Sequence, residues 1–282
     1  MNIRAPAKIN LYLRIAGKRK DGYHLIHSLM VPIALYDEIE INRSQKAGTL
    51  VKITCDNPQV PTGKGNLVYR AARLFLKQSG HREGVAIRIR KRIPVGAGLG
   101  GGSTDAAATL IALNRVFRTR FTSDLLCQWG ECLGADVPFF VLGHPAVARG
   151  IGERLKPVSG LPTLWLVVLY PGFPVSTRWV YKNLNFKLTK ASVNTKLNLP
   201  LFRCEELAGL LVNDLEATTL RRYPRIAYLK ERLIQEGATG ALMAGSGSSV
   251  FGIFAEEKGA KRAYRRLRTE ERVEAYVVRS LT

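Results

Sequence analysis

The stretch "PVGAGLGGGSTDAA", Pro94 to Ala107, constrains this chain more than any other. Five glycines fall in the seven residues from Gly96 to Gly102, and the composition then turns at once to helix formers. A glycine costs roughly 0.5–1 kcal/mol relative to alanine wherever a regular element could continue, so the cluster marks a use of bare backbone. A tight turn with positive φ accounts for one or two glycines and leaves the others unexplained. Gly96, Gly98 and Gly101 satisfy G-x-G-x-x-G, but no chain-initial βαβ unit surrounds them and no acidic residue follows in a strand about twenty positions on; the dinucleotide fingerprint is a chance match. No lysine followed by serine or threonine closes the loop, which removes the P-loop. What remains is a run of exposed amides, Pro94, Val95, Gly96, Ala97, Gly98, Leu99, Gly100, Gly101 and Gly102, feeding a helix predicted from about Ser103. A helix amino terminus carries roughly half a positive charge and unpaired donors, so the segment reads as an anion site that suits a polyphosphate. Ser103 or Thr104 either caps that helix or contacts the phosphate and its Mg²⁺.

Around this loop, strand patterns occur at Ile9 to Ile15, Ile33 to Ile41, Leu50 to Thr54 and Val85 to Ile89. Between the last two, "NLVYRAARLFLKQSG" repeats its apolar residues at helical spacing and ends on Gly80. Asn66 opens that helix, as a cap or as a group reaching an adenine. A further helix, "SDLLCQWGECLG", is predicted to open on a Ser123 cap and close at Gly134. The character changes at the Pro/Ser/Gly connector before Leu164 to Tyr170, which sets a domain boundary between residues 158 and 159. Beyond it the chain reads helix-rich, then strand, glycine loop and strand in "GALMAGSGSSVFGIF", then a helix and a last strand from Val273 to Val278.

At 282 residues with 46% hydrophobic content, the chain can bury a sizeable core. Cys55, Cys127, Cys132 and Cys204 form neither a CxxC pair nor a metal-finger spacing, which points to a reducing cytoplasm and away from a disulfide framework. No signal h-region opens the sequence, and nowhere do about eighteen apolar residues follow one another, so no membrane segment is predicted. The formal charge of +21 attracts polyanions: nucleic acid, acidic headgroups or phosphorylated small molecules. Its clusters, Lys18 to Lys20, Arg88 to Arg92, Arg221 to Arg225 and Lys261 to Arg268, read first as solvated faces, with nucleic-acid binding the minority reading.

Three segments stand in the order of the signatures of the GHMP kinases, the superfamily of galactokinase, homoserine kinase, mevalonate kinase and phosphomevalonate kinase: "APAKINLYLRI", "PVGAGLGGGSTDAA" and "LMAGSGSSVFGIF". Within it, "PAKINLYLRIAGKRKDGYH" followed by "GADVPFF" resembles, over nearly the whole chain, the branch acting on cytidine diphosphate methylerythritol. The resemblance implies ATP-dependent phosphorylation of the methylerythritol 2-hydroxyl in the non-mevalonate isoprenoid route, with ATP and Mg²⁺ as cofactors. It implies a two-domain α+β and α/β GHMP kinase fold: a ribosomal protein S5 domain 2-like domain at 1–158, a ferredoxin-like domain at 159–282, and a site in the cleft. The expected partner is that small molecule, for a monomer or weak homodimer.

The resemblance also assigns roles. Lys8 becomes a catalytic-site cation that offsets charge on the transferred phosphoryl group, and Asp136 in "GADVPFF" the general base toward the hydroxyl. A carboxylate among Ala135, Val137, Phe139 and Phe140 needs a partner if buried, and Lys8 is the candidate. Asn10, two residues on along the same strand face, either braces Lys8 or bonds only backbone. In "DGYH", Tyr23 is implied to stack on the cytosine and His24 to bond its edge, with Tyr181 closing the sandwich. Gly245, Ser246, Gly247 and Ser248 form a second bare loop, read as a hairpin turn or, through Gly245 and Ser246, as a contact to the phosphates. Thr104 stands where most of the family carry serine and keeps the hydroxyl. Two rivals remain: another kinase of the superfamily with a smaller alcohol, against which "DGYH" argues, and an S5-like nucleic-acid binder, against which Lys8 and Asp136 argue.

Overall fold

The computed structural model describes residues 1–44, 51–184 and 204–282, with the backbone alone at Cys204 and Glu205; Leu50 and the Cys204 thiol lie outside what is described. Strands β1 (Asn2–Lys18) and β2 (His24–Ser44) run well past the alternating stretches that predict them. Each contributes to both of the two compact units into which the chain divides.

The first unit comprises Met1–Ala7, Leu35–Val95 and Gly100–Gly143. In it β3 (Val51–Cys55) lies parallel to β4 (Gly84–Arg90), and β4 antiparallel to the second half of β2, with Ile41 opposite Ile87 and Glu38 opposite Arg90. The period of two sends Ile39, Ile41, Ile53, Val85, Ile87 and Ile89 inward. Glu38, Glu40, Arg88 and Arg90 line, with Asn2 and Arg4, a polar furrow of about 300 Å³ that holds none of the candidate site residues. Parallel strands need a crossover, and α1 (Leu67–Ser79) supplies it, burying Val68, Ala71, Ala72, Phe75 and Leu76 at helical spacing. Its Asn66 cap accepts from Val68 N at 2.7 Å, and Gly80 ends it at φ 71°.

Helix α1 packs against α2 (Gly101–Val116), and α4 (Val137–Leu142) packs against both α2 and α3 (Ser123–Glu131). The cap of α3 is Thr122, whose hydroxyl accepts from Leu125 N at 3.3 Å, and not Ser123, which is already helical. Phe75 anchors this helical layer, with the rings of Phe117, Phe121 and Trp129 about it at 5.9 to 6.0 Å.

The second unit comprises Lys8–Ala34, Gly96–Leu99 and His144–Thr282. A hairpin of β5 (Ala146–Arg149) and β6 (Arg154–Pro157) pairs with the first half of β2, Leu29 opposite Val147. After β7 (Trp165–Tyr170), α5 (Thr177–Lys182) and α6 (Cys204–Gly209), the two-residue strand β8 (Val212–Asn213) runs parallel to β1, Asn213 opposite Leu13. Then come α7 (Glu216–Arg222), α8 (Pro224–Gln235), β9 (Gly240–Met243), β10 (Val250–Phe254), α9 (Glu257–Leu267) and β11 (Glu274–Arg279).

These strands form an antiparallel sheet in the order β11-β7-β10-β9. With α8 between β7 and β9, and α9 between β10 and β11, this is the βαββαβ plan of a ferredoxin-like domain. Helix α8 buries Ile226, Leu229 and Leu233 in one core with Val167, Leu169, Val250, Ala260, Ala263 and Leu267. Pro224 opens α8 where its missing N–H costs nothing. Among the described residues no helix is long and apolar enough to cross a membrane.

Candidate active site

Conformation alone claims more of the glycine loop than the sequence suggests. Gly96, Gly98 and Gly100 all take positive φ, at 65°, 79° and 76°. A Cβ on Gly101 would crowd Lys91 Nζ at 3.1 Å and Ile93 Cγ2 at 3.2 Å. Gly102 is different: it is exposed, its φ is ordinary, and the nearest atom to an added Cβ, Leu67 Cδ1, would be 3.7 Å away. The fold itself does not require glycine there.

The loop turns its carbonyls inward. Those of Gly96, Ala97 and Leu99 accept from Val175 N at 3.0 Å, Ser249 N at 3.1 Å and Lys8 N at 3.0 Å. The N–H groups of Gly98 to Gly102 find no acceptor among the described residues, and they lead into the amino end of α2. Gly100 occupies the N-cap position and no side chain caps the helix, which corrects the capping alternative for Ser103 and Thr104 and starts α2 at Gly101. Thr104 Oγ1 is turned inward, buried without a hydrogen-bond partner among the described residues, whereas Ser103 is half-buried on the first turn.

Gly245 and Ser246 lie in the connection between β9 and β10, a hairpin closed by Ala244 N to Ser249 O at 2.9 Å and Gly247 N to Ala244 O at 2.8 Å. This turn seats directly on the first loop. A Cβ on Gly98 would run into the Ala244 carbonyl oxygen and lie 3.1 Å from Gly247 N, and one on Gly245 would lie 3.0 Å from Gly98 O. Ser246 Oγ shares a 2.8 Å hydrogen bond with Thr177 Oγ1, and Ser248 Oγ donates to Phe173 O. Sequence reasoning missed Thr177 and the residues of β8 and α7 that hold the turn; a two-residue strand has no period to read.

On β1, Lys8 and Asn10 point the same way, as the strand period requires. Lys8 is buried, and its Nζ donates to Asn10 Oδ1 at 2.8 Å. Asn10 Nδ2 donates to Ser28 Oγ at 2.8 Å, and Ser28 Oγ to Tyr12 O at 2.7 Å. Asn10 therefore braces the lysine rather than the backbone. Asp136 is half-buried at the start of α4, and its side chain makes no cap bond there.

His24 and Tyr181 come together, ring centroids 5.2 Å apart and tilted by 32°, while Tyr23 is 59% exposed beyond the turn that precedes β2. Burial, and then the Lys18 cation, lower the His24 pKa below its ordinary 6.5. Further along, Tyr12 and His27 are both buried, with the Tyr12 hydroxyl 3.3 Å from His27 Nε2. Burial, then the Arg149 charge, lower the His27 pKa as well.

Lys91 departs from the solvated-face reading of the Arg88 to Arg92 cluster. Its side chain is 4% exposed, held by Asp37 Oδ2 and, at 2.8 Å, by Asp105 Oδ2 of α2. Asp37 Oδ1 also accepts from Arg92 N at 2.6 Å and Ile93 N at 2.9 Å. Burial works against the Lys91 cation, but the two carboxylates more than offset it and leave its pKa raised. For Asp105 burial raises the pKa, Lys91 opposes the rise and Asp37 adds to it; the outcome is raised.

A helix opened by bare amides in one unit and a βαββαβ sheet in the other is the arrangement of the GHMP kinases. Residues 66–144 match the family model described as GHMP kinases N terminal domain, and residues 199–272 that described as GHMP kinases C terminal. The chain is 46% identical over 264 residues to a 4-diphosphocytidyl-2-C-methyl-D-erythritol kinase of Syntrophus aciditrophicus (strain SB), covering 93% of each chain. It is 45% identical over 276 residues to that of Syntrophotalea carbinolica (strain DSM 2380 / NBRC 103641 / GraBd1), covering 97% of this chain and 96% of the relative. A crystal structure of 4-(cytidine 5'-diphospho)-2C-methyl-D-erythritol kinase matches with a TM-score of 0.83 at 38% identity, covering 100% of each chain. The chain belongs to the 4-diphosphocytidyl-2-C-methyl-D-erythritol kinase family of the GHMP kinases.

Two alanine substitutions separate the loop's structural glycines from the one left open. Gly102→Ala gains roughly 0.5–1 kcal/mol of stability in helix propensity yet raises KM for ATP at least ~10-fold. Gly98→Ala loses roughly 1–3 kcal/mol to its left-handed backbone alone, before the clash with Ala244 is counted. Urea melts and steady-state kinetics on both read the difference; an unchanged KM in Gly102→Ala would show that no anion approaches this turn.

Proposed function

We propose that the chain transfers the terminal phosphoryl group of ATP to the 2-hydroxyl of 4-diphosphocytidyl-2-C-methyl-D-erythritol, with a sequence boundary between its domains at 158/159. The observation that carries the reading is the set of amides from Gly98 to Gly102, without protein acceptors, at the amino end of α2 in a chain of this family. Such donors are already oriented and require no reorganisation when a polyphosphate arrives. Residues Pro94 to Thr104 form the nucleotide-binding segment, and Gly245 and Ser246 approach the phosphates from the second turn; Asn66, whose Oδ1 accepts from Val68 N and whose Nδ2 donates to Pro61 O, serves as the cap of α1.

The Lys8 ammonium, fixed by Asn10, stabilises charge that develops on the phosphoryl oxygens. The substrate hydroxyl oxygen bonds to the terminal phosphorus as the bond from that phosphorus to the bridging oxygen breaks. The released proton passes to the Asp136 carboxylate and ADP departs. Mg²⁺, when bound, would supply neutralisation of the polyphosphate charge. Ser103, on the first turn of α2, is the hydroxyl suited to it, since Thr104 Oγ1 faces the interior. His24 bonds the cytosine edge while Tyr181 and the exposed Tyr23 take its faces, a stacking contribution of about 1–3 kcal/mol per base. The enzyme acts as a monomer or weak homodimer on a small molecule.

Removing the cytidyl group from the substrate tests the assignment. Its kcat/KM falls by roughly 10- to 100-fold, the equivalent of the stacking energy, and equal turnover of the truncated alcohol would remove this substrate from consideration. For Asp136→Ala, turnover drops about 10²–10⁴-fold while ATP affinity holds within about twofold. Comparable loss of ATP binding would make the carboxylate structural. A lowered pKa leaves His24 neutral at pH 7, and acidification below 6.5 toward the shifted value installs a cation beside Lys18. KM for the cytidyl substrate therefore rises on acidification while KM for ATP stays level; a pH-independent KM would detach His24 from the cytosine.

A further inference from the structure

The segment from Asn213 to Thr219 holds the second glycine turn by its backbone. Asn213, buried on β8, donates both Nδ2 hydrogens to that turn: to Met243 O at 2.9 Å and to Gly245 O at 2.7 Å. Its Oδ1 accepts from Leu215 N at 3.0 Å, so both donors and the oxygen are engaged. Glu216 accepts from Met243 N at 3.1 Å, and Thr219 Oγ1, also buried, lies 3.3 Å from Ser246 O. Three backbone groups of residues 243 to 245 are thus bonded by side chains of one short segment, and Thr219 Oγ1, 3.3 Å from both Leu215 O and Ser246 O, shares its one hydrogen between them. The next residue binds a different partner. Asp214 accepts from Ile15 N at 2.8 Å and Arg14 Nη1 at 3.1 Å, and its own N donates to Leu13 O at 2.9 Å, all on the strand that carries Lys8 and Asn10.

The carbonyls that Asn213 grips flank Ala244, whose oxygen fills the space a side chain on Gly98 would need. A shift in that carbonyl is transmitted to the first loop, because close-packed groups move together. We infer that Asn213 is a positioning residue of the phosphoryl-donor site: by fixing residues 243 to 246 it sets where the bare turn of Gly96 to Leu99 sits. The inference rests on the reading above, in which these turns receive ATP. No atom of Asn213 need touch a substrate.

Asn213→Asp keeps the side-chain volume and the acceptor for Leu215 N, but replaces two donors with an oxygen facing two carbonyl oxygens. Three quantities decide the matter: steady-state kinetics with each substrate varied, affinity for a non-hydrolysable ATP analogue, and affinity for cytidine 5'-diphosphate by calorimetry. The expected result is a fall of roughly 10²-fold in kcat/KM for ATP and ~10-fold in analogue affinity, with cytidine 5'-diphosphate binding within about twofold of the parent. A residue that merely held the unit together would weaken both ligands alike, and that outcome, or unchanged ATP parameters, overturns the inference. Should Asn213→Asp fail to fold, Thr219→Val, which removes one hydroxyl beneath Ser246, decides in its place. A fall of about 5- to 10-fold in kcat/KM for ATP upholds the clamp, and parental values reject it. A parent chain that binds the analogue yet leaves the cytidyl alcohol untouched would sink the functional reading alone, and the analogue affinity of Asn213→Asp would still judge the clamp.

Discussion

There is no room for a single methyl group between residue 98 and the carbonyl oxygen of Ala244. That contact joins a four-residue piece, Gly96–Leu99, to a hairpin nearly 150 positions later, and the rest of the second unit is arranged to keep both in place. Val175, Ser249 and Lys8 take the carbonyls of the first turn, while Asn213, Glu216 and Thr219 take the backbone of the second. Buried polar groups that lack partners are expensive, so each bond removes an alternative arrangement as well as adding attraction. With the carbonyls of Gly96, Ala97 and Leu99 bonded to the protein, the first turn has the amide hydrogens of Gly98 and Leu99 left to present.

The two strands that pass through both units give the chain its economy. β1 carries Lys8 and Asn10 on one side and receives β8 along Tyr12 and Leu13, while β2 carries His24 at its start and accepts the β5–β6 hairpin at Ser28 to Met30. On the function proposed above, side chains for two different chemical tasks, handling a phosphoryl group and holding a base, are thereby mounted on regular extended backbone. Their spacing along a strand is fixed by its pleat, at about 3.3 Å per residue, which loops cannot match for precision.

Much of the architecture could be read from the chain itself, and the exceptions have physical causes. Helix α1 was legible because its apolar period, its Asn66 cap and its Gly80 stop agree, and β7, β9 and β10 because dense apolar runs are bounded by proline or glycine. β5, β6 and β8 have four, four and two residues, too few for alternation to stand out. Thr122 and Ser123 offer equivalent hydroxyls, and only backbone angles tell which one caps. In the site, the glycine cluster was visible at once, but sequence could not apportion it: three members serve positive φ, one avoids a crowded neighbour, and Gly102 alone stands open. Asn213 was invisible, since its importance comes from carbonyls thirty residues away.

Lys91 was hidden among arginines as one more surface charge, yet its ammonium lies under the first turn of α2, enclosed by Asp37 and Asp105. The Lys91 cation beside Gly101 is therefore already paired, and what the turn itself offers is main-chain hydrogen. Peptide protons do not come and go as a solution sours or turns alkaline. Their donor character is constant, whereas Asp105 beneath them, its pKa raised by burial, is the group through which acidity would reach this end of α2.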